Sequence, residues 1–106
     1  MGQTQKVGKH ATRVYAPWDN AVAVKYHATN IVVFDPDVIR LDSGGWFSAT
    51  TKARMNQASN QFSLGYNVFQ KKHAWYVSFN GETTPFVDGI TLTRYRPEYA
   101  VGIPMD

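Results

Sequence analysis

The sequence has no cysteine, and no acidic residue occurs between Ser43 and Asn80. Without cysteine, the chain cannot form a disulfide scaffold, a thiolate zinc site or a cysteine nucleophile. No apolar run approaches the roughly 20 residues of a membrane helix, and the first residues lack the apolar segment of a signal peptide. We therefore expect no membrane association and no cysteine chemistry.

The composition is that of a globular domain of 106 residues. Apolar residues make up 43% and charged residues 18%, which argues against a disordered chain. Aromatic residues are frequent and bury a large area each, so a small sheet-based core is feasible. The formal net charge of +3 permits binding to a polyanion without requiring it.

Charge and turn residues divide the chain into three parts. Residues 1–17 form a basic N-terminal arm, residues 18–96 a single α+β domain, and residues 97–106 an extended C-terminal tail. The arm has three cations and no acid: Lys6, Lys9 and Arg13. It is either a flexible segment that contacts phosphates or a solvated terminus, with a short edge strand at Val14 and Tyr15 as a further option.

Alternating apolar residues predict strands on both sides of one helix. The strands are predicted over residues 21–27, 31–34, 38–41, 66–70, 75–79 and 90–93. Residues 28–30 could form a bulge or a tight turn, so one long kinked strand and two short strands both remain open. Asn80 and Gly81 form a strong turn pair.

The helix is predicted over about residues 50–62, because Met55, Ala58 and Phe62 fall on one core-facing stripe. The order of elements is therefore approximately ββ(β)αβββ. This order predicts an α+β fold in which one helix packs on a mainly antiparallel sheet.

Residues 41–62 join a strand end, a glycine turn, a tryptophan, a hydroxyl-rich helix start and an unusually polar helix. Exposed N–H groups at a helix start, hydroxyls and a cation together can form an anion site. We predict that phosphate is bound by Ser43, Gly44, Gly45, Trp46, Thr50, Thr51, Lys52 and Arg54. The spacing of a P-loop is absent. The alternative is an ordinary strand–turn–helix junction with a cap at Ser48, Thr50 or Thr51.

The polar side chains of the helix supply a second set of candidates. Amides of Asn and Gln pair bidentately with base edges, so we predict base contacts by Asn56, Gln57 and Asn60. The alternative is a solvated polar face. Trp75 and Tyr76 are candidates for base stacking, but alternation along a strand sends them to opposite sides.

Residues that could catalyse a reaction are scattered. The histidines, at positions 10, 27 and 73, lack a metal-ligand spacing. Asp35 and Asp37 could bind a hard cation, but turn formation is the favoured explanation. His27 could act as a general base with Asp42 or Glu82, although no local spacing pairs them. We therefore predict no catalytic residue, no metal site and no cofactor.

Three blocks of the sequence carry a family resemblance. They are YHATNIV at 26–32, SGGW with TTKARMNQ within 41–57, and WYV, GET and PF within 75–86. With these blocks, the chain resembles a family of small bacteriophage-encoded proteins of unassigned function, over residues 22–93. The resemblance implies an accessory gene product in the cytoplasm of an infected bacterium.

The sequence thus favours a non-enzymatic phage accessory module that binds a phosphate-bearing ligand. Such a module could act against a defence system of the host. The ligand is a nucleotide or a nucleic acid. One alternative is a protein that binds and inhibits a host enzyme, and another is a small phosphoester hydrolase. A homo-oligomer is compatible with all three.

Overall fold

The structure, a computed structural model, describes residues 11–94, which form eight strands and one helix. The strands before the helix are β1 (Thr12–Tyr15), β2 (Val22–Tyr26), β3 (Thr29–Phe34) and β4 (Val38–Leu41). The helix is α1 (Ala49–Gln61). The strands after it are β5 (Tyr66–Lys71), β6 (Ala74–Phe79), β7 (Glu82–Pro85) and β8 (Ile90–Thr93). The α+β class with one helix is confirmed, and the order of elements matches the predicted order approximately.

The strands form two antiparallel sheets rather than one. The large sheet has the order β1-β2-β3-β4-β8, and the small sheet has the order β5-β6-β7. Strand β8 returns to pair with β4, so the large sheet collects strands from both ends of the described chain. Helix α1 leads from the large sheet into the small one and packs on β5, β3 and β2.

The N-terminal arm is partly ordered into the large sheet. Thr12–Tyr15 pairs with β2 as an edge strand, which confirms the option of a short strand at Val14 and Tyr15. Residues 1–10 of the arm, with Lys6 and Lys9, lie outside the described residues, as does the C-terminal tail.

Two-residue turns connect several neighbouring strands, and the sequence indicates some of these turns more clearly than others. Asn80 and Gly81, the predicted turn pair, both have positive φ (52° and 82°) between β6 and β7, as in a type I′ turn. Lys72 and His73 adopt the same conformation between β5 and β6 (51° and 71°). At residues 28–30 the chain forms two strands, because Tyr26 pairs with Thr29 across a two-residue turn.

A bulge in β3 adds a residue to the core. Val24 pairs with Val32 and Lys25 pairs with Asn30, so Ile31 is the extra residue between them. Ile31 and Val32 are consequently both fully buried, although they are neighbours in one strand. The burial of a side chain of this size stabilises the fold by about 1.5–3 kcal/mol.

Helix α1 begins and ends within one residue of the predicted limits. Its N-cap is Ser48, whose hydroxyl accepts a hydrogen bond from the Thr51 N–H at 3.2 Å. Met55 and Ala58 are fully buried, as predicted, and Phe62 packs its ring on Phe34 at 5.1 Å. The apolar stripe is narrow, so packing on the sheets holds a helix of weak intrinsic propensity.

The helix also covers the open edge of the small sheet. At this edge the backbone groups of Tyr66 and Val68 point away from β6 and have no neighbouring strand. Asn56 supplies both partners for Val68: its Nδ2 donates to the carbonyl at 2.8 Å, and its Oδ1 accepts from the N–H at 2.7 Å. The Ser59 hydroxyl donates to the Tyr66 carbonyl at 2.7 Å and accepts from its N–H at 3.0 Å. Two helical side chains therefore replace a strand at this edge.

Candidate ligand cleft at the helix start

The glycine turn after β4 is closed by carboxylates of the protein itself. The Ser43 N–H donates to Asp88 Oδ1 at 2.7 Å, and the Ser43 hydroxyl donates to Asp88 Oδ2 at 3.0 Å. The Gly44 N–H donates to Asp42 Oδ1 at 2.7 Å, and the Gly45 N–H donates to the Ser43 hydroxyl at 3.0 Å. The three N–H groups that could have cradled a phosphate therefore have partners within the fold.

Gly44 is required by close packing. Its φ is +67°, and a Cβ at this position would clash with the side chain of Thr29 on β3. The turn therefore lies directly against the large sheet. Gly45 also has a positive φ, of +86°, but a Cβ there would meet no atom within 4 Å.

The start of α1 retains donors for an anion. The Thr51 N–H is capped by Ser48, and the two hydroxyls lie 3.1 Å apart. Among residues 11–94, the N–H groups of Ala49 and Thr50 have no hydrogen-bond acceptor. The first turn of α1 contains no acidic residue. An anion at this end of the helix is stabilised by the exposed N–H groups and the helix dipole.

The two predicted cations lie on aromatic rings. Lys52 Nζ is 5.8 Å from the centre of the Trp75 ring. Arg54 Cζ is 5.7 Å from the centre of the Tyr26 ring, while Arg54 Nε donates to the Thr12 hydroxyl at 3.1 Å. Arg54 thus joins the helix to β1 and β2, and its charge lies against the ring of Tyr26 at the end of β2.

The three residues predicted to contact a base lie in different surroundings. Asn56 uses its amide on β5, as described above. Gln57 accepts a hydrogen bond from Arg54 Nη1 at 3.3 Å. Asn60 is exposed near the end of the helix. The structure does not gather these three amides at one point, and their contact with a base stays a prediction.

A cleft of about 440 Å³ opens between the helix start and the tip of the β2–β3 hairpin. We call it the helix-start cleft, and its lining residues are Tyr26, His27, Ala28, Thr29, Trp46, Ser48 and Thr51. The Trp46 side chain is 70% exposed, and the Tyr26 and His27 rings lie 4.4 Å apart. The cleft therefore combines flat aromatic surface with hydroxyls and the start of a helix.

Cations surround this end of the molecule. Arg13 and Lys25 lie opposite each other on β1 and β2, and they line a shallow depression of about 360 Å³ that shares His27 with the cleft. The nearby acids of the glycine turn have partners: Asp42 bonds to Gly44 and Arg40, and Asp88 bonds to Ser43. No carboxylate lines the cleft among the described residues.

Sequence reasoning identified part of this cleft and missed the rest. Of the predicted phosphate-binding residues, Trp46 and Thr51 line it, whereas Ser43, Gly44 and Gly45 form the turn behind it. The hairpin residues 26–29 were missed as site residues. The sequence left a bulge or a tight turn open at residues 28–30, but nothing in it marked this turn as part of a ligand site. The turn forms with a positive φ at His27 (56°).

The acidic pair at the β3–β4 turn forms the turn itself. The Asp35 carboxylate accepts hydrogen bonds from the N–H groups of Val38 (2.9 Å) and Asp37 (2.8 Å). These bonds lower the pKa of Asp35 below its ordinary value. Within residues 11–94, no three His, Asp or Glu residues are placed to hold a metal ion together.

The fold and the cleft define a small α+β protein with a candidate binding site at the start of its single described helix. The chain belongs to the Kyanoviridae Gp96 protein family, a cyanophage family whose model matches residues 1–93. The phage resemblance is thereby confirmed, and the match includes the N-terminal arm. Searches of curated proteins and of solved structures gave no match. In the described part of the chain, the one helix is too short and too polar to span a membrane.

Proposed function

We propose that the protein binds a nucleotide in the helix-start cleft, with the base against Trp46 and the phosphate at the start of α1. The observation that carries this proposal is the exposed Trp46 ring in a cleft that it shares with Tyr26 and His27. The volume of about 440 Å³ falls within the range of small-molecule sites. Stacking of a base on an aromatic ring contributes about 1–3 kcal/mol.

The start of α1 suits the phosphate better than the glycine turn does. At the turn, the carboxylates of Asp42 and Asp88 already accept from the backbone, and their charge repels a phosphate. At the helix start, the N–H groups of Ala49 and Thr50 are available and no acid is present in the first turn. The phosphate is therefore placed beside Ser48, on the cleft side of Trp46.

The cations around the cleft support the same ligand class. Arg13 and Lys25 lie beside His27, and Arg54 lies against Tyr26. Their field raises the local concentration of an anionic ligand and speeds its association. In an infected cell, such a protein would act as an accessory module that withdraws a nucleotide from the host, which is one route to an anti-defence role.

Calorimetric titration with mononucleotides, cyclic dinucleotides and short oligonucleotides at low salt tests the proposal. At least one nucleotide should bind, and Trp46→Ala should weaken its binding by about tenfold or more, because a stacking surface is lost. Trp18→Ala is the matched control, since Trp18 is also exposed (56%) and lies in the β1–β2 loop, at the other end of β2 from His27.

Two results would contradict the proposal. The first is the absence of binding to every nucleotide tested, with the fold intact by circular dichroism. The second is an equal loss of affinity in Trp46→Ala and Trp18→Ala, which would show that the cleft has no special part in binding.

Exposed aromatic residues also favour a second candidate, the inhibition of a host enzyme by direct binding. Phe47, next to Trp46, is 53% exposed although its ring packs edge-on against Trp75 at 4.9 Å. Adjacent exposed aromatics can anchor a protein interface. A pull-down from host lysate that survives nuclease and high salt, and that fails for Phe47→Ala, would support this candidate over nucleotide binding.

A further inference from the structure

An aromatic pair lies on the outer face of the small sheet, outside the hydrophobic core. In β5 and β6, Val68 and Val77 point to the core and are buried. Phe69 and Tyr76 alternate with them and therefore lie on the opposite face, directly across from each other. Their rings stack at 5.7 Å with an interplanar angle of 23°, and both are half-buried.

This pair lies in a cleft with lysines. The cleft has a volume of about 560 Å³ and is lined by Phe69, Lys71, Lys72, Tyr76 and Thr83. Lys71 ends β5 and Lys72 occupies the following type I′ turn, so both lysines are exposed at one end of the aromatic pair. We call this surface the aromatic–lysine face.

No acid lines the aromatic–lysine face within the described chain. Glu82 is the acidic residue of β5, β6 and β7. It pairs with Phe79, which lies on the same core-facing side of the sheet as Val77, so Glu82 is not on the outer face. Glu82 accordingly lines a different cleft, between β6, β7 and β8. The face therefore has a positive potential with no local carboxylate to neutralise it.

We propose that the aromatic–lysine face binds single-stranded nucleic acid, in addition to the nucleotide site at the helix start. Unpaired bases stack on Phe69 and Tyr76, and the lysines at the end of the pair contact the backbone phosphates. A duplex is excluded because its bases are stacked on each other and cannot reach the rings. The aromatic contacts are sequence-tolerant, since every base has a π-face.

A second argument favours a strand over a free nucleotide on this face. The cleft presents two stacked rings and two separate cations, so it offers contacts for more than one base and more than one phosphate. An apolar protein partner would gain from the rings but would have to desolvate Lys71 and Lys72 without a carboxylate of this chain to pair them. A strand of phosphates uses both features of the face.

Fluorescence anisotropy with the full chain and labelled 12-mers tests the proposal. Single-stranded oligothymidine should bind more tightly than a duplex of the same length. Tyr76→Leu, which keeps an apolar side chain but removes the ring, should weaken the binding by about tenfold. The double variant K71Q/K72Q should make the slope of log affinity against log salt shallower by about 0.7 for each lysine lost.

The control is Arg40→Gln, which removes an exposed cation from the large sheet, outside the aromatic–lysine face. It should leave both the affinity and the preference for single strands close to the wild-type values. Three results would overturn the proposal: no binding to the single strand, equal binding to the duplex, or losses in the control equal to those in Tyr76→Leu and K71Q/K72Q. Nucleotide binding at Trp46 is measured separately, so either proposal can fail without the other.

Discussion

Gly44 is the residue on which the shape of the glycine turn depends. Replacing it with alanine adds a Cβ against Thr29 in a left-handed backbone conformation, so Gly44→Ala should lower the free energy of unfolding by about 2–4 kcal/mol. Gly45→Ala, at similar φ but with open space around the Cβ, should cost only about 1–2 kcal/mol. Urea denaturation measures both values. Equal losses of stability in the two variants would show that the Thr29 side chain can move away from the added Cβ at no cost in free energy.

Tyr66 should make the stability sensitive to alkaline pH. Its side chain is buried and donates to the Met55 carbonyl at 2.6 Å, and this burial raises the pKa of Tyr66 far above its ordinary value near 10. Because the folded-state pKa lies above the unfolded one, the contribution to stability is complete below pH 10 and is lost as the pH rises further. The free energy of unfolding should therefore fall above pH 10.

Tyr66→Phe isolates this effect. At pH 7 the variant should be less stable by about 1 kcal/mol, because one hydrogen bond is lost. Above pH 10 its stability should fall less steeply than that of the wild type, because the phenol is gone. Urea unfolding at pH 7, 9 and 10.5 gives both values. Parallel curves for the two proteins at high pH would contradict the assignment.

At the scale of elements, the pairing of α1 with β5 depends on Asn56. Asn56→Ala removes both partners of Val68 and leaves the N–H and carbonyl of this buried residue without a protein partner, so it should cost about 2–4 kcal/mol. Asn67→Ala is the control, because Asn67 is exposed on the outer face of the same strand and should change the stability by about 0.5 kcal/mol or less. Thermal and urea unfolding compare the two variants. A similar small loss in both would show that water replaces the Asn56 amide at no cost.

The same element shows what the sequence reveals and what it conceals. The stripe of Met55 and Ala58 predicted the helix and its buried face, because a period of 3.6 residues is a local property. The abundance of amides suggested a ligand surface. In the structure, Asn56 bonds to β5, since a strand edge without a partner strand needs donors and acceptors from another element. No local pattern distinguishes Asn56 in this role from an exposed asparagine.

At the scale of the whole molecule, the class of fold was predictable and the partition into two sheets was not. Alternation and turn pairs such as Asn80-Gly81 located most strands, because each depends on a few neighbouring residues. The pairing of β8 with β4, which closes the large sheet, joins distant parts of the chain. The bond from Ser43 to Asp88 spans 45 residues. Such contacts follow from the packing of the complete chain, so a reading of local pattern cannot supply them.

The candidate cleft illustrates the same difference. Trp46 was predicted as a site residue because it stands in an unusual segment, and its exposure is consistent with that choice. Tyr26 and His27 reach it from a hairpin about 20 residues earlier, and only the return of β3 to the glycine turn brings them together. Sequence reasoning thus reached Trp46 and Thr51 of the candidate cleft but not its hairpin residues, and ligand binding by either group stays a prediction.

The two kinds of contact also imply an order of folding. The hydrogen bonds between α1 and β5 join residues 7 to 12 positions apart, and the β5–β6 hairpin is equally local. The bonds that fix β8 and the glycine turn span 59 and 45 residues. Because short loops close at a smaller cost in entropy, we expect the helix, the small sheet and the sequential hairpins of β1 to β4 to form before β8 pairs with β4. The glycine turn beside Trp46, to which we assign nucleotide binding, depends on the bond from Ser43 to Asp88 and is then among the last parts of the chain to reach its final shape.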